Sequence, residues 1–136
     1  MRIPYGVFSL ACLLIVPSVS AQTGHGSASD TSHSALVEAM KQDLRRLVKA
    51  EEGFFARHRT YTAVLPESDF ATRPERQVVV VAHAEKGYSA TMTTTEEPGL
   101  SCGLFHGTGR APNAVITRAR EPACWHNLPN GVVVRD

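Results

Sequence analysis

This chain carries no surplus of charge: 14 Lys and Arg stand against 13 Asp and Glu, beside six His. Nucleic-acid binding rests on an excess of cations meeting phosphates, so no nucleic-acid partner is expected. Nor is there an uninterrupted apolar run of the ~20 residues that a membrane-crossing helix needs. The longest, Val7 to Val16 broken by Ser9, stops at Pro17. Cys-x-x-Cys, His-x-His and His-x-x-x-His are absent, which removes the short ligand spacings of the common zinc sites. No Gly-x-Ser-x-Gly elbow offers a serine nucleophile. Gly103, Gly107 and Gly109 end a strand and precede a proline loop, whereas a phosphate loop lies between a strand and a helix. Close packing or a turn accounts for them. No cofactor is expected, and no segment repeats.

What is present begins with an export signal. Arg2, the apolar run and the small residues of Val19-Ser20-Ala21 read as a signal peptide over residues 1–21, cleaved after Ala21. Removing it takes away Cys12 and Arg2, leaving basic and acidic residues balanced. The protein is then exported, to the periplasm or the extracellular space, with no stable membrane span after processing. Near-zero net charge tolerates association with a protein partner. The two remaining cysteines, Cys102 and Cys124, enter an oxidising compartment, where an even pair reads as a disulfide. The closed loop of about 22 residues gives roughly 3 kcal/mol in the chain-entropy account.

Residues 22–34 are mostly Gly, Ser, Thr and His and read as a flexible leader. Residues 35–136 form the domain. Ser34 is placed to cap a helix from about Ala35 to His58, with Leu36, Met40, Leu44, Leu47, Val48 and Phe55 along one stripe. Gln77 to Ala84, with four consecutive valines, predicts a strand. A hairpin through Ala84–Gly87 then leads to a second strand, in which Tyr88, Ala90 and Met92 face the helix. Ser101 to Gly107 is a third strand and Val132 to Val134 a short last one. Leu65 and Phe70 tuck over the core edge. The fold class is α+β: one long N-terminal helix packed on an antiparallel sheet of three to four strands, with one disulfide. Alternation puts two of the four valines on the face away from the helix. Either the C-terminal segment or a partner covers them, and the C-terminal segment is expected.

The histidines are the residues most open to chemistry. His25 and His33 fall in the leader, where nothing preorganises a site. His58 sits at the helix C-terminus, where the dipole favours a cation. His83, His106 and His126 belong to the sheet region, and the disulfide is expected to bring His106 and His126 together. A three-histidine zinc site is conceivable, but no spacing motif supports it. Glu51 and Glu52 point about 100° apart on the helix, poorly placed as an acid–base pair. Glu51 lies by the apolar stripe, where a backbone or basic group can partner it. Trp125 is expected to stack on the bridge. No catalytic, cofactor-binding or metal residue is assigned. The candidate partner surface is Trp125, His126, Phe105 and His106.

Two stretches carry a family resemblance. Asp43 to Phe55, followed by Thr60-Tyr61-Thr62, resembles the helix end and following loop of type IV pilins and pseudopilins. Gly87-Tyr88-Ser89-Ala90-Thr91 and Ser101-Cys102-Gly103-Leu104-Phe105, with the later Cys124, are similar to their sheet and disulfide-bounded C-terminal loop. The resemblance implies a helix laid on an antiparallel sheet and a non-enzymatic role in filaments or secretion machinery. The start departs from it: Gly6-Val7-Phe8-Ser9-Leu10 is followed by Ala11 and Cys12 where pilins carry a glutamate, and Pro17 ends the apolar run. The expected function is an exported, non-enzymatic accessory or recognition module at the cell surface or in the periplasm. Its alternatives are a membrane-anchored pilus or pseudopilus subunit held through residues 7–19, and a small secreted ligand-binding or inhibitory module.

Overall fold

The computed structural model describes residues 28–127 and 133–135. The expected signal peptide and residues 22–27 of the expected leader lie outside the described residues. The helix, α1, spans Ala28–His58, 31 residues, so it begins seven residues before Ala35. Ser34 is inside it rather than at its cap, and residues 28–34 are helix, not leader. Isolated helical turns are marginal in water. The added turns have tertiary partners: Leu36 packs against the core, and His33 reaches Glu97 across the fold. At the other end Arg59 adopts a left-handed conformation (φ 59°), and its N–H bonds the Phe55 carbonyl at 2.8 Å, closing the helix as glycine usually does.

Five strands follow: β1 Arg76–Ala82, β2 Gly87–Thr94, β3 Leu100–Gly107, β4 Ala123–Asn127 and β5 Val133–Arg135. They form one sheet in sequence order, every neighbour antiparallel. The fold is therefore α+β, one helix on an antiparallel sheet, with one strand more than expected. The addition is β4, a stretch the sequence presents as irregular between Pro122 and Pro129. Five residues with no β-branched side chain among them are a weak strand signal, and pairing with β3 supplies what propensity does not.

Alternation decides the core. Tyr88, Ala90 and Met92 from β2, Leu100, Cys102 and Leu104 from β3, and Cys124 from β4 are buried against Val37, Met40, Leu44, Leu47 and Val48 of α1. Leu65 and Phe70 close its edge, as expected. Cys102 and Cys124 are directly opposite in the β3–β4 ladder and form the disulfide, with Cα atoms 3.9 Å apart. Residues of the other parity face away from the helix. There Trp125, Ala123 and Ile116 make a second small core, joined by Phe105. Trp125 thus lies on the face opposite Cys124 and does not stack on the bridge, because successive strand residues point to opposite sides. Gly103 makes room for it: a Cβ there would stand 3.2 Å from the indole and 2.8 Å from the Ala90 carbonyl oxygen.

Arg76 opens β1 on the buried parity. Its side chain is 3% exposed and donates from Nη1 to Asp43 Oδ2 of α1 at 2.5 Å, and from Nε to Glu96 at 3.3 Å. Asp43 also accepts from Arg46 at 2.6 Å. This ion network ties the start of β1 to the middle of the helix.

The four-valine run corrects a second expectation. β1 is one edge of the sheet, whereas β4 and β5 lie toward the other. Neither β4 nor β5 therefore covers the valines. Val79 and Val81 remain 57% and 51% exposed.

Candidate functional site

Two places on this scaffold gather chemistry or open surface. The first joins three distant segments. His33 projects from the second turn of α1, Glu97 from the β2–β3 turn and His126 from β4. His33 Nδ1 lies 3.0 and 2.9 Å from the two Glu97 carboxylate oxygens. His126 Nε2 lies 3.0 Å from Glu97 Oε1, yet this buried nitrogen makes no hydrogen bond there. The two imidazoles meet edge to face with centroids 5.6 Å apart. One donor atom from each of the three residues falls within 4.8 Å of the other two. All three side chains are partly buried, with 23–32% of each exposed. A cleft of about 560 Å³ lined by Asp30, Leu36 and Glu96 opens beside His33 and Glu97.

The sequence reading placed His33 in a leader with no geometry, and the helical turn it occupies overturns that. The other proposed histidine grouping also fails. His126 pairs with Leu100 and His106 with Tyr88. Six residues of β3 separate the two pairs, about 20 Å at strand rise. His106 instead joins Tyr61 and Tyr88, with ring centroids 5.4 and 5.7 Å away. His83 is exposed beyond the end of β1. What the sequence offered for the observed cluster was three residues capable of metal ligation, 64 and 29 positions apart in the chain; no local spacing marks them.

Behind the aromatic group lies Glu51, fully buried on the apolar stripe of α1. Its Oε2 accepts the Thr62 backbone N–H at 3.2 Å, the backbone partnership expected for it. Its Oε1 has no partner, and neither does the buried Tyr88 hydroxyl. Burial pushes the Glu51 carboxyl above its ordinary range, the Thr62 bond only partly opposing this. Burial, then the Glu51 charge, also raises Tyr61 and Tyr88. Glu52, its sequence neighbour, is exposed and pairs with Arg120, so the two carboxylates do not share a site.

The second place is the β1 edge. On the helix side, a groove of about 310 Å³ is lined by Val64, Leu65, Phe70, Val78 and Val80. On the other side stand Val79 and Val81. The partner surface read from the sequence fares differently. Trp125 is 4% exposed in the second core and is not available, while Phe105, His106 and His126 are half-buried. Among the described residues, no helix is long and apolar enough to cross a membrane. Comparison with protein-family models, curated proteins and solved structures gives no match.

Proposed function

We propose that this chain is an exported, non-enzymatic recognition module, a pilin-like accessory domain that works through its surface at the cell envelope or outside the cell. The observation that carries this reading is the β1 edge. A seven-residue strand forms one edge of the sheet, with a groove lined by Val64, Leu65, Phe70, Val78 and Val80 under one face and two exposed valines on the other. Natural edges are often blunted with Lys, Pro or a bulge; apart from the inward-pointing Arg76 at its start, β1 carries no such device from Gln77 to Ala82. An extended segment of a partner protein added to this edge would gain main-chain hydrogen bonds, and its alternate side chains would enter the groove.

Two further features support the reading. The helix lying on an antiparallel sheet, with β4 pinned to β3 by a disulfide, is the kind of arrangement the pilin resemblance implies. The cystine belongs in an oxidising compartment. A photo-crosslinking residue at Val79, introduced into the exported chain in its own cells, tests the partner surface. The expected adduct forms at position 79 and not at Ala119 on the far loop; equal labelling at both positions refutes an edge-strand interface. N-terminal sequencing of the exported chain tests the processing. A start at Gln22 supports a released module, and a start at Val7 or Phe8 would favour the anchored pilus subunit instead.

A further inference from the structure

We propose that His33, Glu97 and His126 form a binding site for one divalent transition-metal ion of the zinc class, which clips α1 to the sheet. Two imidazoles and a carboxylate are a known zinc donor set, with a water completing the tetrahedron. The same set suits nickel, cobalt and copper ions and is poor for calcium or magnesium, which take oxygen.

Three observations converge on it. Ligand atoms from α1, the β2–β3 turn and β4 already lie within 4.8 Å of one another. In a tetrahedron with bonds of ~2.0–2.1 Å, neighbouring ligands stand roughly 3.3 Å apart. Side-chain rotation that draws the widest pair together by about 1.5 Å therefore suffices. The second observation is His126 Nε2. It is buried, 3.0 Å from Glu97 Oε1, and makes no hydrogen bond. Leaving a buried polar atom unpaired costs about 1–3 kcal/mol, and a metal at the centre of the triad would satisfy it. Third, both carboxylate oxygens face His33 Nδ1 at nearly equal distance, an arrangement in which a cation can take either oxygen.

A simple His–Glu–His ion cluster is the alternative, and it predicts no metal affinity. The clip would reinforce the first turns of α1: His33 stands five residues into the helix, in turns whose composition alone does not hold them. The inference is separate from the edge-strand reading. It rests on His33, Glu97 and His126, none of which lines the β1 groove, so crosslinking at Val79 and a zinc titration can fail independently.

The test is a zinc titration of the tag-free exported chain against a chromophoric competitor, with cobalt as a spectroscopic stand-in. One ion per chain is expected, with the visible absorption of four-coordinate cobalt. Glu97→Gln and His126→Ala should each weaken binding by about 100-fold or more, while His83→Ala and His25→Ala leave it unchanged. Zinc should raise the melting temperature of the native chain but not that of Glu97→Gln, whose neutral amide still fills the same space. Absence of stoichiometric zinc or cobalt binding by a chain shown to be folded by circular dichroism overturns the proposal. So does binding that survives both substitutions.

Discussion

Asp43→Leu should destabilise the domain far more than an exposed carboxylate would, because it strands a buried guanidinium. Arg76 is 3% exposed and Asp43 10% exposed at the side chain, with 2.5 Å between them. Breaking a buried ion pair from one side costs about 3–5 kcal/mol. Glu96 still reaches Arg76 Nε at 3.3 Å, but it is 38% exposed and weakened by solvent. The lower end of the range, about 3 kcal/mol, is therefore expected. Arg76→Met is milder. Asp43 keeps Arg46 at 2.6 Å, a guanidinium 59% exposed, and the loss should be about 2 kcal/mol, the worth of a hydrogen bond to a charged group.

The double variant Asp43→Leu with Arg76→Met separates this account from simple loss of packing. Replacing a buried pair with apolar residues of similar volume is often neutral or stabilising, so the double should return to within about 1 kcal/mol of the native chain. Urea unfolding of the four proteins at neutral pH gives the cycle. Hydrogen exchange should show β1 loosening first in Asp43→Leu, since Arg76 is its opening residue. Single effects that add to within about 0.5 kcal/mol, or an Asp43→Leu cost below about 1 kcal/mol, refute the reasoning.

Three other perturbations follow from the structure. Cys102→Ser with Cys124→Ser should lower stability by about 3 kcal/mol for a loop of this length, with reductant lowering the urea midpoint of the native chain alike; an unchanged midpoint contradicts it. Glu51→Gln should stabilise at neutral pH, because the neutral amide can keep the Thr62 bond without burying a charge. The raised Glu51 carboxyl favours the protonated fold, so its contribution is complete below the ordinary carboxylate range and is lost as pH rises through the raised value. The advantage of Gln should accordingly shrink as urea midpoints are followed toward acid, and an advantage that grows there would be the wrong sign. Gly103→Ala should cost about 1–3 kcal/mol by overpacking, since its Cβ meets the Ala90 carbonyl at 2.8 Å; Trp125 fluorescence would report the displaced indole.

Much of the architecture was readable because it follows local periodicity. The stripe of Met40, Leu44 and Leu47 specifies the helix, and Tyr88, Ala90 and Met92 specify which face of β2 is buried. Those signals live within one element and need no knowledge of its neighbours. Even the Asp43–Arg76 pair left a trace that the reading passed over. Arg76, Val78, Val80 and Ala82 share a parity, so an Arg on the buried side demanded a carboxylate. Asp43 sits one position from Leu44 on the helix stripe, where a polar residue needs the same explanation. β4 and the outer-face position of Trp125 were missed because they depend on pairing with β3 and on a covering loop, neither of which has a local signature.

The His33–Glu97–His126 cluster was illegible for a deeper reason. Composition placed His33 in a Gly/Ser/Thr-rich leader, and composition alone was right about propensity: nothing in those turns favours a helix strongly. The helix extends over them because Leu36 and His33 find partners on the sheet. The residue that makes the cluster and the turns that carry it are thus stabilised by the same contact, and neither can be inferred without the other. The convergence also requires the β2–β3 turn at Glu97 to stand beside β4, which is fixed by the pairing of Leu100 with His126. A strand absent from the sequence reading therefore positions one ligand, and a helical turn absent from it positions another. For that reason the zinc titration tests more than affinity: added zinc should protect the amides around His33 from exchange, and should fail to do so in His126→Ala, only if the start of α1 and β4 are joined as the fold has them.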